Sequence, residues 1–153
     1  MASSSRFAIA VHTLALLANY EGKALKSEFV ACLVKTNPVV IRRLLCELSR
    51  ADLVESQSGA HGGTWLKRRP AEITLWEIYQ AVESAEVFSL HHPATETQCA
   101  VSSNIESVLT DIQQQVNAAI EQTLQNLSLG DVLQMLITDT FNDEGCRKYQ
   151  GEE

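Results

Sequence analysis

Two adjacent arginines, Arg42 and Arg43, sit opposite an apolar stripe of Ile41, Leu44, Leu45 and Leu48 at helical spacing. A guanidinium carries five donors in a planar fork, which fits a phosphate or the acceptor edge of a guanine. Such chemistry needs no catalytic partner. It needs a helix that can enter a groove about 12 Å wide. Val39 and Arg50 share the outward face with the arginine pair, Lys35 and Thr36 precede it, and His61 and Lys67 follow it in a glycine-rich stretch. These eight residues, Lys35, Thr36, Val39, Arg42, Arg43, Arg50, His61 and Lys67, are the expected contacts to double-stranded DNA, with Arg68 and Arg69 extending the basic surface. Taken alone, two arginines on a helix are most simply a solvated face. The glycine-rich hairpin and the further basic residues that follow tip the reading to DNA.

Sulfur and imidazole offer the other chemistry. Of the four cysteines, Cys32 and Cys46 fall within apolar helical patterns and read as small buried hydrophobes. Cys99 lies near His91 and His92 in a stretch without periodicity, and Cys146 lies in a polar tail. No two cysteines form a CxxC pair. Cys99 is therefore a candidate sensor thiol and otherwise a bystander, and the histidines read as ordinary exposed residues. No metal site and no cofactor is expected. There is no nucleotide-binding loop, HExxH or nucleophile elbow, so an enzyme is not expected either.

Charge is divided along the chain. The 153 residues carry a net −7, which argues against a nucleic-acid partner at first sight. Residues 1–69, however, hold ten Lys/Arg against five Asp/Glu, whereas residues 70–153 hold two against fourteen. One half can face phosphate while the other stays acidic. With 45% hydrophobic and 20% charged residues the chain is ordinary for a globular protein and not a disordered one. No apolar run approaches a membrane span and no signal peptide is read, which gives a cytoplasmic expectation with no membrane partner.

The elements that would position these groups follow from spacing and punctuation. Residues 5–20 form an apolar-striped helix that Ser3 to Ser5 can cap. Residues 27–34 form a second helix capped by Ser27. Asn37 and Pro38 suit the cap and first position of a third helix, which runs to about Ala51. Residues 53–57 and 64–67 alternate as strands around Ser58-Gly-Ala-His-Gly-Gly63, a hairpin signal. Thr74 and Glu77 make a capping box for a fourth helix. A second box, Ser103 to Glu106, opens the longest periodic segment, and a third, Ser128 to Asp131, opens a short last helix.

Three short helices and a two-stranded hairpin are the order of a winged helix. The fold class expected is mainly α (α+β): a winged helix–turn–helix domain over residues 1–85, a loop and candidate effector region over 86–100, a dimerisation helix and short terminal helix over 101–140, and a polar tail over 141–153. The long helix carries Ile105, Val108, Leu109, Ile112, Val116, Ile120 and Leu124 on one stripe. That stripe is longer than a domain whose core is already complete can cover, so it is expected to pair with a second copy.

Particular stretches bear a family likeness. The segment from Asn37 to Val54 (NPVVIRRLLCELSRADLV), the Gly62-Gly63 pair, the segment from Arg69 to Ile78 (RPAEITLWEI) and the opening Ser5 to Ala10 (SRFAIA) resemble the Rrf-two family of bacterial winged helix–turn–helix regulators (IscR/NsrR-like), over about residues 3–140. The resemblance implies a sequence-specific transcriptional regulator, a repressor acting as a homodimer on a palindromic operator. Two departures matter. Ser58 stands where the family carries an arginine before the first wing glycine, leaving His61 as a weaker substitute. Cluster-binding members carry three loop cysteines, of which only the last is matched, by Cys99. The alternatives are an iron–sulfur or thiol-based redox sensor using Cys99, and a winged helix that binds only protein.

Overall fold

The computed structural model describes residues 4–83, 87–91 and 99–138. Its elements are α1 (Arg6–Asn19), α2 (Ser27–Val34), α3 (Pro38–Arg50), β1 (Val54–Gln57), β2 (Gly63–Leu66), a 3-10 turn at Pro70–Glu72, α4 (Leu75–Val82), α5 (Ala100–Gln125) and α6 (Leu129–Thr138). The protein is mainly helical with one small antiparallel sheet, a winged helix, as its residues lead one to expect.

Local chemistry sets most boundaries. The left-handed backbone of Lys35 (φ 58°) ends α2, and the Thr36 amide donates back to the Ala31 carbonyl. Asn37 then caps α3, its side-chain oxygen accepting from the Val39 amide at 2.8 Å, with Pro38 in the first turn where no donor is needed. The box at Thr74 and Glu77 opens α4 as expected, and Ser128 and Asp131 exchange the same reciprocal bonds before α6. Two caps differ from expectation. Lys26, not Ser27, caps α2, which leaves the Ser27 hydroxyl free for other work. The helix α5 begins at Ala100, a turn before the Ser103–Glu106 pattern. Ser103 donates instead to the Cys99 carbonyl at 3.0 Å, because a serine hydroxyl can satisfy a carbonyl four residues back as readily as it can cap.

The hairpin register pairs Val54 with Leu66 and Gln57 with Gly63. Both wing glycines are needed for close approach. A Cβ on Gly62 would lie 2.1 Å from the Gln57 carbonyl oxygen, and one on Gly63 2.7 Å from the backbone of Ala24. The second contact lets the α1–α2 connection bridge to the wing, with Leu25 and Thr64 exchanging backbone bonds of 2.9 and 2.8 Å.

Leu14, Val30, Ile41, Leu48, Leu53, Ile73 and Ile78 form the centre of the core, drawn from all four of the first helices and the start of the wing. Leu129 of α6 is fully buried in the same cluster. The chain is pinned there by backbone bonds from Leu75 to Leu127 (2.9 Å) and from Leu129 to Ile73 (2.8 Å). The core is thus not complete at residue 85. The last helix folds back to finish it, and α5 is the outward limb of a loop that returns.

The expectation for Cys32 and Cys46 is corrected. Both are exposed. The buried faces of α2 and α3 are set by Val30 and Ala31 and by Ile41, Leu44, Leu45 and Leu48, and positions 32 and 46 fall on the far sides.

Candidate DNA-binding interface

The outward face of α3 runs Val39, Arg42 and Arg43, Cys46, Arg50, positions spaced so that they stack along one side of the helix. All five are exposed. Adjacent residues on a helix point about 100° apart, and the two arginines diverge accordingly. Arg42 turns toward the wing. Its Nε donates to the Ser27 hydroxyl at 3.2 Å and its guanidinium pairs with Glu28. Arg43 turns the other way, into a shallow hollow with Arg6, Val39 and Val40.

Between α3 and the wing lies an open cleft of about 710 Å³. Arg42, Cys46 and Arg50 line one wall, Ser56, Gln57 and Ser58 the other, and Lys26 and Ser27 one end. The structure therefore brings together Arg42 and Arg50 with wing residues that spacing alone does not single out. Lys26, Ser27, Glu28, Cys46, Ser49, Ser56 and Gln57 belong to this surface and were not among the expected contacts. The first three lie at the start of α2, where a cap displaced by one residue hides their exposure, and Cys46 is masked by its apolar type.

The remaining expected contacts are spread around this cleft. Lys35 is exposed at the turn between α2 and α3, Thr36 beside it is half-buried, and His61 is exposed at the wing tip. Lys67 pairs with Asp52, which raises its pKa, and Arg69 pairs with Glu72 at 2.7 Å with the same effect. Arg68 is turned inward to Glu77 at 2.8 Å. The acidic neighbours partly neutralise this second basic group. Glu28 is held below the usual carboxylate range, chiefly by its hydrogen bond from Arg42. It carries a negative charge on the same surface.

The candidate sensor is placed differently. Cys99 is the cap residue of α5 and is exposed. The Ser102 and Val101 amides and the Ser102 hydroxyl favour its thiolate and hold its pKa below the ordinary thiol value. His91 is exposed, and His92 lies outside the described residues, as does Cys146.

On the dimerisation stripe, Ile105, Val108 and Ile112 are exposed, and Leu109, Val116, Ile120 and Leu124 are half-buried. Leu124 packs on the core of its own domain, and Ile120 faces Trp76 and Tyr79 across a pocket. Among the described residues no helix is long and apolar enough to cross a membrane.

An exposed third helix beside a two-stranded wing sits well with what known proteins show. The Rrf2 family model, an iron-dependent transcriptional regulator, matches residues 3–135. The chain belongs to the Rrf2 family. The HTH-type transcriptional regulator YwnA of Bacillus subtilis (strain 168) is 38% identical over 133 residues, covering 87% of this chain and 98% of YwnA. A solved DNA-binding protein is 36% identical with a TM-score of 0.65, covering 84% of this chain and 99% of its own. The fold is also that of T. potens IscR (22% identical, TM-score 0.68, 97% of each chain) and of CymR, the global cysteine regulator of B. subtilis (19%, 0.63, covering 88% of this chain and 98% of CymR). The family and these relatives are transcriptional regulators, not enzymes.

The family's iron dependence raises the matter of a cluster. Iron–sulfur clusters are held by several thiolates. Here Cys99 is alone at the start of α5, Cys32 and Cys46 lie on α2 and α3 of the DNA-binding domain, and among the described residues no three His, Cys, Asp or Glu side chains gather as a metal site. The described residues do not fit such a group.

Proposed function

We propose that this Rrf2 regulator is a cytoplasmic homodimeric repressor that binds a palindromic operator, with α3 in the major groove and the wing beside it. The observation that carries the reading is the exposed α3 face with Arg42, Arg43 and Arg50 and the open cleft that separates it from Ser56 to Ser58. Two recognition helices related by a twofold axis read half-sites about one helical turn, or about 34 Å, apart. Arg42, held by Ser27 and Glu28, is the arginine best placed to meet a base edge, because its fork is already oriented. Arg43, Lys35 and Thr36 contact phosphate.

The dimer reading rests on the N-terminal half of α5. Ile105, Val108 and Ile112 are 41%, 50% and 44% exposed along one face. A row of aliphatic side chains left in water is costly unless another surface covers it. A second copy offers the same row. Selection of bound fragments from genomic DNA with the purified protein tests the reading. A shared palindrome among the fragments is the expected result, and fragments without a common sequence would sink it.

A further inference from the structure

A pocket of about 320 Å³ lies between α4 and α5 and shares no lining residue with the α3 face. The Trp76 and Tyr79 rings form one side, nearly parallel at 14° with centroids 5.6 Å apart, and Phe7 packs edge-on against Tyr79 at 5.6 Å. Ile120 and Asn117 of α5 face them, and Glu83 and Glu121 complete the rim. Neither carboxylate has a cationic partner among the described residues. Glu83 takes the Ser4 hydroxyl (2.7 Å) and the Phe7 amide (3.1 Å) on one oxygen, which fixes its position. Among the described residues Glu121 takes the Gln125 side-chain amide, at 2.9 Å.

From this combination we infer that the α4–α5 pocket binds a small organic cation, an ammonium or guanidinium compound. Aromatic faces attract a cation through their quadrupoles, and two carboxylates that form no ion pair among the described residues add to the attraction. Among the described residues no lysine or arginine lines the pocket, so its charged groups oppose an anion. A bare metal ion is the poorer occupant. Its preferred oxygen-rich shell is missing, and aromatic rings cannot supply it. The volume is at the small end of ligand pockets, which favours a compact amine. The acidic half of the chain, from residue 70 onward, adds a long-range field of the right sign. The lining residues of α5, Asn117, Ile120 and Glu121, follow the exposed Ile105–Ile112 row along the helix. Because α4 belongs to the DNA-binding core and α5 carries the dimer face, an occupant would bias the angle between two recognition helices. That consequence rests on the dimeric DNA-binding reading, whereas the binding itself does not.

The test uses the full chain without DNA. Trp65→Phe leaves Trp76 as the sole tryptophan reporter. Tetramethylammonium, putrescine and agmatine are titrated by fluorescence and calorimetry, with tert-butanol and 1,4-butanediol as uncharged counterparts. The expected result is saturable binding of at least one cation with Kd below about 10 mM, and none of the alcohols. Glu121→Gln should weaken it about fivefold or more, as should Glu83→Gln. Glu83 also braces the start of α1, so Glu121→Gln is the variant that decides if Glu83→Gln unfolds. Absence of saturation for all three cations, equal binding of the alcohols, or unchanged affinity in Glu121→Gln would overturn the inference. None of these outcomes touches operator selection, so the two readings fail separately.

Discussion

The two arginines of α3 have different surroundings, and that difference is open to experiment. Arg42→Ala should relax preference at one base pair in each half-site, at a cost of about 1–3 kcal/mol in discrimination. Arg43→Ala should weaken all sequences alike and shallow the salt dependence by about one unit per chain. Competition isotherms on single-base operator variants, repeated at several salt concentrations, separate the two. At Cys99 the depressed pKa means that thiolate persists as pH falls through the range where an ordinary thiol takes up its proton. Alkylation followed by mass spectrometry should therefore keep its rate to lower pH at Cys99 than at a free cysteine in solution. Cys99→Ser should leave DNA affinity within about twofold, since a lone thiol at the start of α5 is far in sequence and in role from the reading face. Much at this scale was legible beforehand. Arg42, Arg43 and Arg50 stand on the outward face because the apolar positions 41, 44, 45 and 48 dictate which face is inward. Cys32 and Cys46 are exposed because helical phase, and not the apolar character of the residue, decides which face of α2 and α3 is buried. The contacts of Ser27 and Glu28 with Arg42 are not legible in the sequence because they span fifteen and fourteen residues, and such pairings leave no local pattern.

At the scale of elements, the caps of α3, α4 and α6 could be read directly, since each is a short-range exchange between side chain and backbone. Thr74→Ala should accordingly cost about 1 kcal/mol in chemical denaturation by removing the acceptor for the Glu77 amide. The return of α6 was not legible. It depends on Leu129 reaching the cluster of Leu14, Ile41 and Ile78, and on backbone bonds between residues 73–75 and 127–129. Spacing within a helix says which face is apolar, but not which surface it will meet. Leu129→Ala should cost about 2–5 kcal/mol, in the range of a buried leucine truncation, and should lower the stability of the DNA-binding domain itself. A denaturation midpoint unchanged by this substitution would show that α6 is an appendage rather than part of the core.

For the whole molecule, the split of charge is the organising feature. The basic half carries the α3 face and the wing, and the acidic half carries the pocket between α4 and α5 and the exposed row of α5. If that row is the dimer face, Val108→Glu with Ile112→Glu should give monomers by sedimentation, because burying unpaired carboxylates opposes association. A monomeric wild type at micromolar concentration would remove the dimer from the account. The claim on which most rests is that α3 reads DNA. The most direct measurement is the binding isotherm of the double variant Arg42→Ala, Arg43→Ala on the operator that selection returns, taken at several salt concentrations beside the wild type. The account predicts weaker binding, lost discrimination and a shallower salt slope. Binding as tight as wild type with the same slope would contradict it.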